Sequence, residues 1–156
     1  MTYTVQLVDL QEQPAAVVRG HVTHEGIADF LGPAFGEVIG AVEREGGHPV
    51  GAPFGRYRPT DDGGWDLTAG FPVSRPVTPA GRVEPETLPG GRAARTLHVG
   101  DYAGLAAAYE AAMAWLTDNG YVVTGEPWEC YLDGPEVPEP RTEVFIPCTE
   151  ARPHHA

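Results

Sequence analysis

A carboxylate set among aromatic residues on a strand can hold a cation, or exchange a proton, once water is kept from it. The segment Gly125-Glu126-Pro127-Trp128-Glu129-Cys130-Tyr131 has that makeup. Side chains alternate across a strand, so Glu129 and Tyr131 share one face while Trp128 and Cys130 share the other. In the last predicted strand Val144, Ile146 and Cys148 share a face, and Glu143 and Phe145 take the opposite one. Val144 and Ile146 belong against helices. With Trp128 packed beside them, Glu129 and Tyr131 point to the sheet face away from the helices. The same rule puts Tyr57 there in the first half of the chain. A groove lined by Glu129, Tyr131, Tyr57, Trp65 and Phe145 follows, at the junction of two half-sheets. Its ring faces would attract cations, worth ~0.5–2 kcal/mol per contact. Periodicity alone leaves two readings of each residue: Glu129 in a groove or solvated on an open strand, the aromatics as walls or as plain core.

The elements that must position these residues read as an internal repeat. Gly46-Gly47-His48-Pro49-Val50-Gly51-Ala52-Pro53-Phe54-Gly55-Arg56-Tyr57 aligns without gaps on Gly120-Tyr121-Val122-Val123-Thr124-Gly125-Glu126-Pro127-Trp128-Glu129-Cys130-Tyr131. Where the first copy has Gly55, the second has Glu129. Upstream, 16–22 parallels 93–99, pairing His21 with His98 and suggesting a shared structural role for the two. Downstream, 66–73 parallels 141–148. Each half then reads strand, helix, strand, strand, with repeat 1 over about 1–78 and repeat 2 over about 79–150. Two units are too few for a solenoid, which needs at least about three. A paired single domain over 1–156, with pseudo-two-fold symmetry, is the expectation.

The pattern predicts strands at 3–10 and 15–22, then a helix capped by Thr23 that buries Ile27, Phe30, Leu31, Phe35, Val38, Ile39 and Val42. Gly32-Pro33 predicts a kink or break in it, and Gly46-Gly47 its end. Strands at 50–59 and 65–73 are joined by Asp61-Asp62-Gly63-Gly64, a strong turn signal. Segment 74–90, rich in Pro and Gly, reads as the connection between halves. A strand at 92–99 precedes a helix capped by Asp101 and stopped near Gly120. Leu105, Tyr109, Ala112, Met113 and Leu116 form its buried stripe. Strands at 122–131 and 141–148 flank a Pro-stiffened loop at 133–140. Arg152-Pro153-His154-His155-Ala156 reads as a frayed tail whose histidines lack the partners of a metal site.

At 156 residues the chain has the size of one domain. The formal net charge is −12, and there is no lysine. Such a surface repels phosphate backbones, which argues against direct nucleic-acid binding and favours cationic ligands or basic partners. No apolar run approaches the ~20 residues that span a bilayer, and the first residues lack the pattern of a signal peptide. Cys130 and Cys148 fit no metal spacing and read as free thiols in a cytoplasmic protein. No cofactor is expected: there is no glycine-rich phosphate loop, metal triad or nucleophile elbow.

Pro53-Phe54-Gly55-Arg56-Tyr57, Leu97-His98-Val99-Gly100-Asp101-Tyr102, Gly125 through Pro135 and Arg141-Thr142-Glu143-Val144-Phe145-Ile146-Pro147 together resemble the GyrI-like small-molecule-binding family, also known as the AraC effector-binding domain. The resemblance covers nearly the whole chain. It implies an α+β fold of duplicated SH2-like β-α-β-β units, an antiparallel sheet with two main helices on one face and a ligand groove between the halves. It further implies that Glu129 lies in that groove and meets cationic or polar ligands, with Tyr131, Tyr57 and Trp65 stacking around it. Many members are sensor halves fused to a DNA-binding domain. This chain, whose first helix belongs to the repeat, resembles the stand-alone ones.

The expected function is therefore binding of an amphipathic, aromatic or cationic small molecule, as in drug or toxin sensing or sequestration. The resemblance implies two alternatives. One is a cofactor-independent hydrolase of cyclopropyl DNA-alkylating compounds with Glu129 as the catalytic residue. The other is a gyrase-inhibitor-like protein that binds a protein partner.

Overall fold

Nine strands and two long helices make up the α+β fold of this computed structural model, which describes residues 3–134 and 136–151. The strands are β1 (Val5–Leu10), β2 (Gln13–Val22), β3 (Phe54–Pro59), β4 (Trp65–Pro72), β5 (Val83–Leu88), β6 (Gly91–Val99), β7 (Tyr121–Val123), β8 (Trp128–Tyr131) and β9 (Arg141–Glu150). The helices are α1 (Ile27–Arg44) and α2 (Leu105–Asp118), each preceded by one 3₁₀ turn. Among the described residues no helix is long and apolar enough to cross a membrane. The chain divides into two compact units, Met1–Leu10 with Gly91–Ala156, and Gln11–Gly90. We call them the second-half and first-half units. The boundary expected near 78 thus falls inside the first-half unit, ahead of β5. The Arg152–Ala156 tail with its paired histidines, and Pro135, lie outside the described residues.

In the second-half unit β1 pairs with β6, β6 with β9 and β9 with β8, all antiparallel. β7 pairs with the far end of β9, Val123 opposite Cys148. The strand expected over 122–131 is therefore two strands on one edge of β9, parted by Thr124–Pro127, where Pro127 supplies no N–H for a ladder. Ala94, Val144, Ile146 and Cys148 pack with Leu105, Ala108, Ala112 and Leu116 of α2. α2 is followed, after Asn119, by Gly120, whose φ of +79° suits a residue without a Cβ.

The first-half unit has the strand order β5, β2, β4, β3, again antiparallel throughout. β5 lies in the segment expected to be only a connection. Pro85 hides it from a strand pattern, yet a strand at the edge of its unit tolerates proline, and Val83 and Leu88 are buried. Ala16, Val18, Ala69, Phe71 and Val73 pack against Ala34, Val38, Ala41 and Val42 of α1. α1 runs through Pro33 without the expected break; that buried stripe outweighs the single backbone bond the proline removes. It closes as expected at Gly46-Gly47, with the amide N–H groups of Gly47 and Gly46 donating to the Val42 and Glu43 carbonyls. Asp101 forms no side-chain cap, and both α-helices grow out of their 3₁₀ turns, so that Gly26 and not Thr23 holds the N-cap place of α1. The β3–β4 turn is the expected one, with Gly63 at φ +84°. Asp62 accepts from the Thr60 hydroxyl and the Gly64 N–H there, which brings its carboxyl down to about 2.

The strand ladders of the two units can be compared residue by residue. Gly55 stands opposite Ala69, which stands opposite Val18. Glu129 stands opposite Val144, which stands opposite Thr96. Gly55 and Glu129 hold the same place, as aligned in the sequence. One step along, Tyr57–Leu67–Gly20 corresponds to Tyr131–Thr142–His98. His98 therefore corresponds to Gly20, not to His21. The expected pairing of the two histidines is one residue out of register, and a one-residue slip moves a side chain to the other face.

Candidate functional site

Paired residues of an antiparallel ladder point to the same face. Glu129 faces Val144 across β8–β9, and Val144 packs against α2. Glu129 therefore lies on the helix side of its sheet, contrary to the expectation that it points away. Trp128 and Phe145 pair on the other face, their rings stacked at 5.4 Å and 18°. Glu129 and Tyr131 share a face opposite Trp128 and Cys130, as alternation requires, but Trp128 pairs with Phe145 and not with Val144, so Phe145 is on the face opposite Glu129.

The helix side brings Glu129 a residue that strand periodicity cannot supply. The Tyr109 hydroxyl, from α2, donates to Glu129 Oε1 at 2.5 Å. The Tyr131 hydroxyl donates to Oε2 at 2.8 Å. The Tyr102 ring, from the 3₁₀ turn ahead of α2, meets the Tyr131 ring edge-on at 6.1 Å. Tyr102 and Tyr109 are seven positions apart, two helical turns, and so lie on one side. Tyr109 appeared in the sequence as part of a buried stripe and Tyr102 as part of a motif. Their spacing, taken with a carboxylate on the helix side, is the signal that would have found them.

Glu129 is only 5 % exposed. Burial raises its carboxyl above the ordinary value, and the two phenol hydrogen bonds oppose that rise. No cation acts on it among the described residues. Two neutral donors offset part of the desolvation of a carboxylate, not its charge. The site holds an anion, or a proton, in want of a counter-charge.

Side chains behind the cluster hold it in place. His98 is buried, and its Nε2–H donates to the Asp101 carbonyl at 2.7 Å, leaving Nδ1 to accept from the Tyr3 hydroxyl at 2.8 Å. That anchors the start of the turn that carries Tyr102. Asp133 accepts from the backbone and guanidinium of Arg141, closing the base of the 133–140 loop, and its carbonyl accepts from the Tyr102 hydroxyl at 3.3 Å. Burial, then the charges of Glu136, Asp133 and Glu129, push the Tyr102 phenol up, so it remains a neutral donor.

Tyr57 and Trp65 belong to the first-half unit, where their rings meet edge-on at 6.1 Å. Both cysteines are free. Cys130 pairs with Glu143 on the face away from α2, and Cys148 lies on the α2 side, so the sheet separates them. Burial, with Glu143 and Glu129 nearby, pushes the Cys130 thiol up to about 12, which makes it a poor nucleophile. Among the described residues no three metal-ligating side chains cluster.

Known proteins match this architecture. Over 97% of this chain and all of the other, it is similar to the EcmrR C-terminal domain, with 23% identity and a TM-score of 0.79. It spans 58% of the EcmrR chain in that protein's complex with DNA. A hydrolase from Listeria innocua matches over 93% of this chain and 91% of its own, with 14% identity and a TM-score of 0.64. SAV2435, solved bound to tetraphenylphosphonium, matches over 96% and 94%, with 15% identity and a TM-score of 0.59. At these identities the likeness shows the fold alone. No curated protein sequence matches significantly. The family pattern of the GyrI-like small molecule binding domain matches residues 3–149, nearly the whole chain. This chain belongs to the GyrI-like small-molecule-binding family.

Proposed function

We propose that the second-half unit binds an amphipathic aromatic cation, with Glu129 as counter-charge and Tyr102, Tyr109 and Tyr131 as its aromatic and hydrogen-bonding walls. The observation that carries this is the buried carboxylate held by two phenols and no cation. A cation with flat apolar groups gains from the ring faces and from the anion, and it lowers the cost of keeping that anion out of water. An acidic surface draws such ligands in. The matching ladders of the two units, each with one helix on one face, support a duplicated β-α-β-β origin for the fold.

Tetraphenylphosphonium, the ligand of one structural relative, is a suitable probe. Its binding, followed by tryptophan fluorescence, should weaken by about 10- to 100-fold in Glu129→Gln, the loss of one charge-assisted contact. Triphenylphosphine oxide, similar in shape but uncharged, should be little affected. Equal affinity of wild type and Glu129→Gln for the cation would remove Glu129 from the site.

One observation favours a second reading. A carboxyl raised by burial and aligned by two phenols is suited to proton transfer, as a hydrolase of strained cyclopropyl electrophiles would need. In that reaction water's oxygen bonds to one ring carbon as the strained bond breaks, and a proton passes to the released carbanionic position. Mass spectrometry of such a compound incubated with the protein tests it: no water adduct above the buffer rate ends this reading.

A further inference from the structure

Thr142 is fully buried, and its hydroxyl is one of only two buried side-chain polar atoms without a hydrogen-bond partner among the described residues. The other, Nε of Arg56, belongs to a guanidinium that approaches Glu86 through another nitrogen. Thr142 has no such second contact. Its place is specific: on β9 it stands directly opposite Tyr131 on one side and His98 on the other. It is two residues from Val144, the partner of Glu129, so on one face it is a diagonal neighbour of that carboxylate. The hydrogen-bonding capacities nearby are committed: both His98 nitrogens, and the Tyr131 hydroxyl to Glu129.

The fold does not require a hydroxyl at this position. In the first-half unit the same ladder place, between Tyr57 and Gly20, is filled by buried Leu67. A buried hydroxyl left unpaired opposes folding, whereas an apolar side chain of similar shape does not. Tyr131, directly opposite, is half-buried, and Tyr102 against it is exposed. Tyr131 and Thr142 are directly opposite on one face, so a ligand of the Glu129 site would have to displace the Tyr131 ring to meet the Thr142 hydroxyl.

We propose that the Thr142 hydroxyl is a specificity-determining contact of the Glu129 site, pairing with a hydroxyl, ether or amide group of the ligand. The ligand class narrows accordingly to aromatic cations that carry a hydrogen-bonding group beside the charge. The inference rests on the reading of Glu129 as the counter-charge.

The test compares tetraphenylphosphonium with its 3- and 4-hydroxyphenyl analogues, which differ by one hydroxyl, on wild type, Thr142→Val and Thr142→Ser. Wild type should bind the better analogue about three- to tenfold more tightly than the parent, the value of one added hydrogen bond. Thr142→Val should erase that preference, binding the hydroxyl analogues no more tightly than the parent, and Thr142→Ser should keep it. No preference in wild type, or one that survives in Thr142→Val, overturns the inference while leaving Glu129 as counter-charge. Failure of all three cations to bind wild type removes the Glu129 reading and this inference with it. Ligand-free Thr142→Val should melt no lower than wild type. A clear drop would mean that the hydroxyl is bonded within the fold, which also overturns the proposal.

Discussion

The ladders of the two units match pair for pair, and the units differ in what they bury on the helix side. Among the described residues four buried ones are polar or charged, Thr96, His98, Glu129 and Thr142, and all four face α2. Their counterparts in the first-half unit are Val18, Gly20, Gly55 and Leu67. The helices follow suit: aligning buried Ala34, Val38 and Val42 on Ala108, Ala112 and Leu116 places Phe35 where the other unit has Tyr109. Phe35 packs edge-on against Phe71, while Tyr109 turns a hydroxyl to a carboxylate. A Cβ on Gly20 would collide with the Phe30 ring at 2.5 Å, so an aromatic residue from α1 fills the space that His98 takes in the other unit. One unit shows what the fold needs to be stable. The other buries polar groups in the same places, at a cost in desolvation that the proposed binding role accounts for.

The comparison is broken most forcefully by carrying the carboxylate across. Gly55→Glu would bring an anion into the first-half unit where Phe35 stands in the place of Tyr109, so of the two phenols only the counterpart of Tyr131, Tyr57, is there. Stability should fall by about 3 kcal/mol or more, a drop in Tm of roughly 8 °C or more by calorimetry. Adding Phe35→Tyr should restore roughly 1 kcal/mol by supplying one donor. A Gly55→Glu protein as stable as wild type would show that the first-half unit is no less hospitable to charge.

A smaller effect sharpens the same contrast from the other side. The Glu129 carboxyl is raised in the folded protein, so on increasing pH the unfolded chain ionises first. Stability must then fall as pH rises from the unfolded value of 4.5 through the folded one. Glu129→Gln lacks this loss. Its Tm relative to wild type should climb as pH rises above 4.5, and a difference independent of pH would deny the burial penalty.

The smallest effect concerns His21, on the outer face of the first-half unit. Hydrogen bonds to Asp66 and Asp62 raise its pKa above 6.5. Its contribution is thus present below 6.5 and lost as pH rises through the raised value. His21→Ala should lower the Tm slightly near pH 5.5 and leave it unchanged near pH 9. An equal change at both would mean that protonation of His21 does not matter.

Much of this was legible in the order of residues. Apolar spacing marks both helices, because one stripe of each must be buried; Gly46 and Gly120 mark their ends, because they take positive φ; Asp62 and Gly63 mark the tight turn. The glycine-to-glutamate difference between Gly55 and Glu129 was visible as well, and the ladders place the two in register. What alternation along a strand determines is which residues share a face. Which face meets the helix depends on the partner strand, and only the pairing of Glu129 with Val144 decides it. Tyr109 reaches the carboxylate from a helix twenty residues away in sequence. Such contacts come from packing between elements, and no periodicity within one element encodes them.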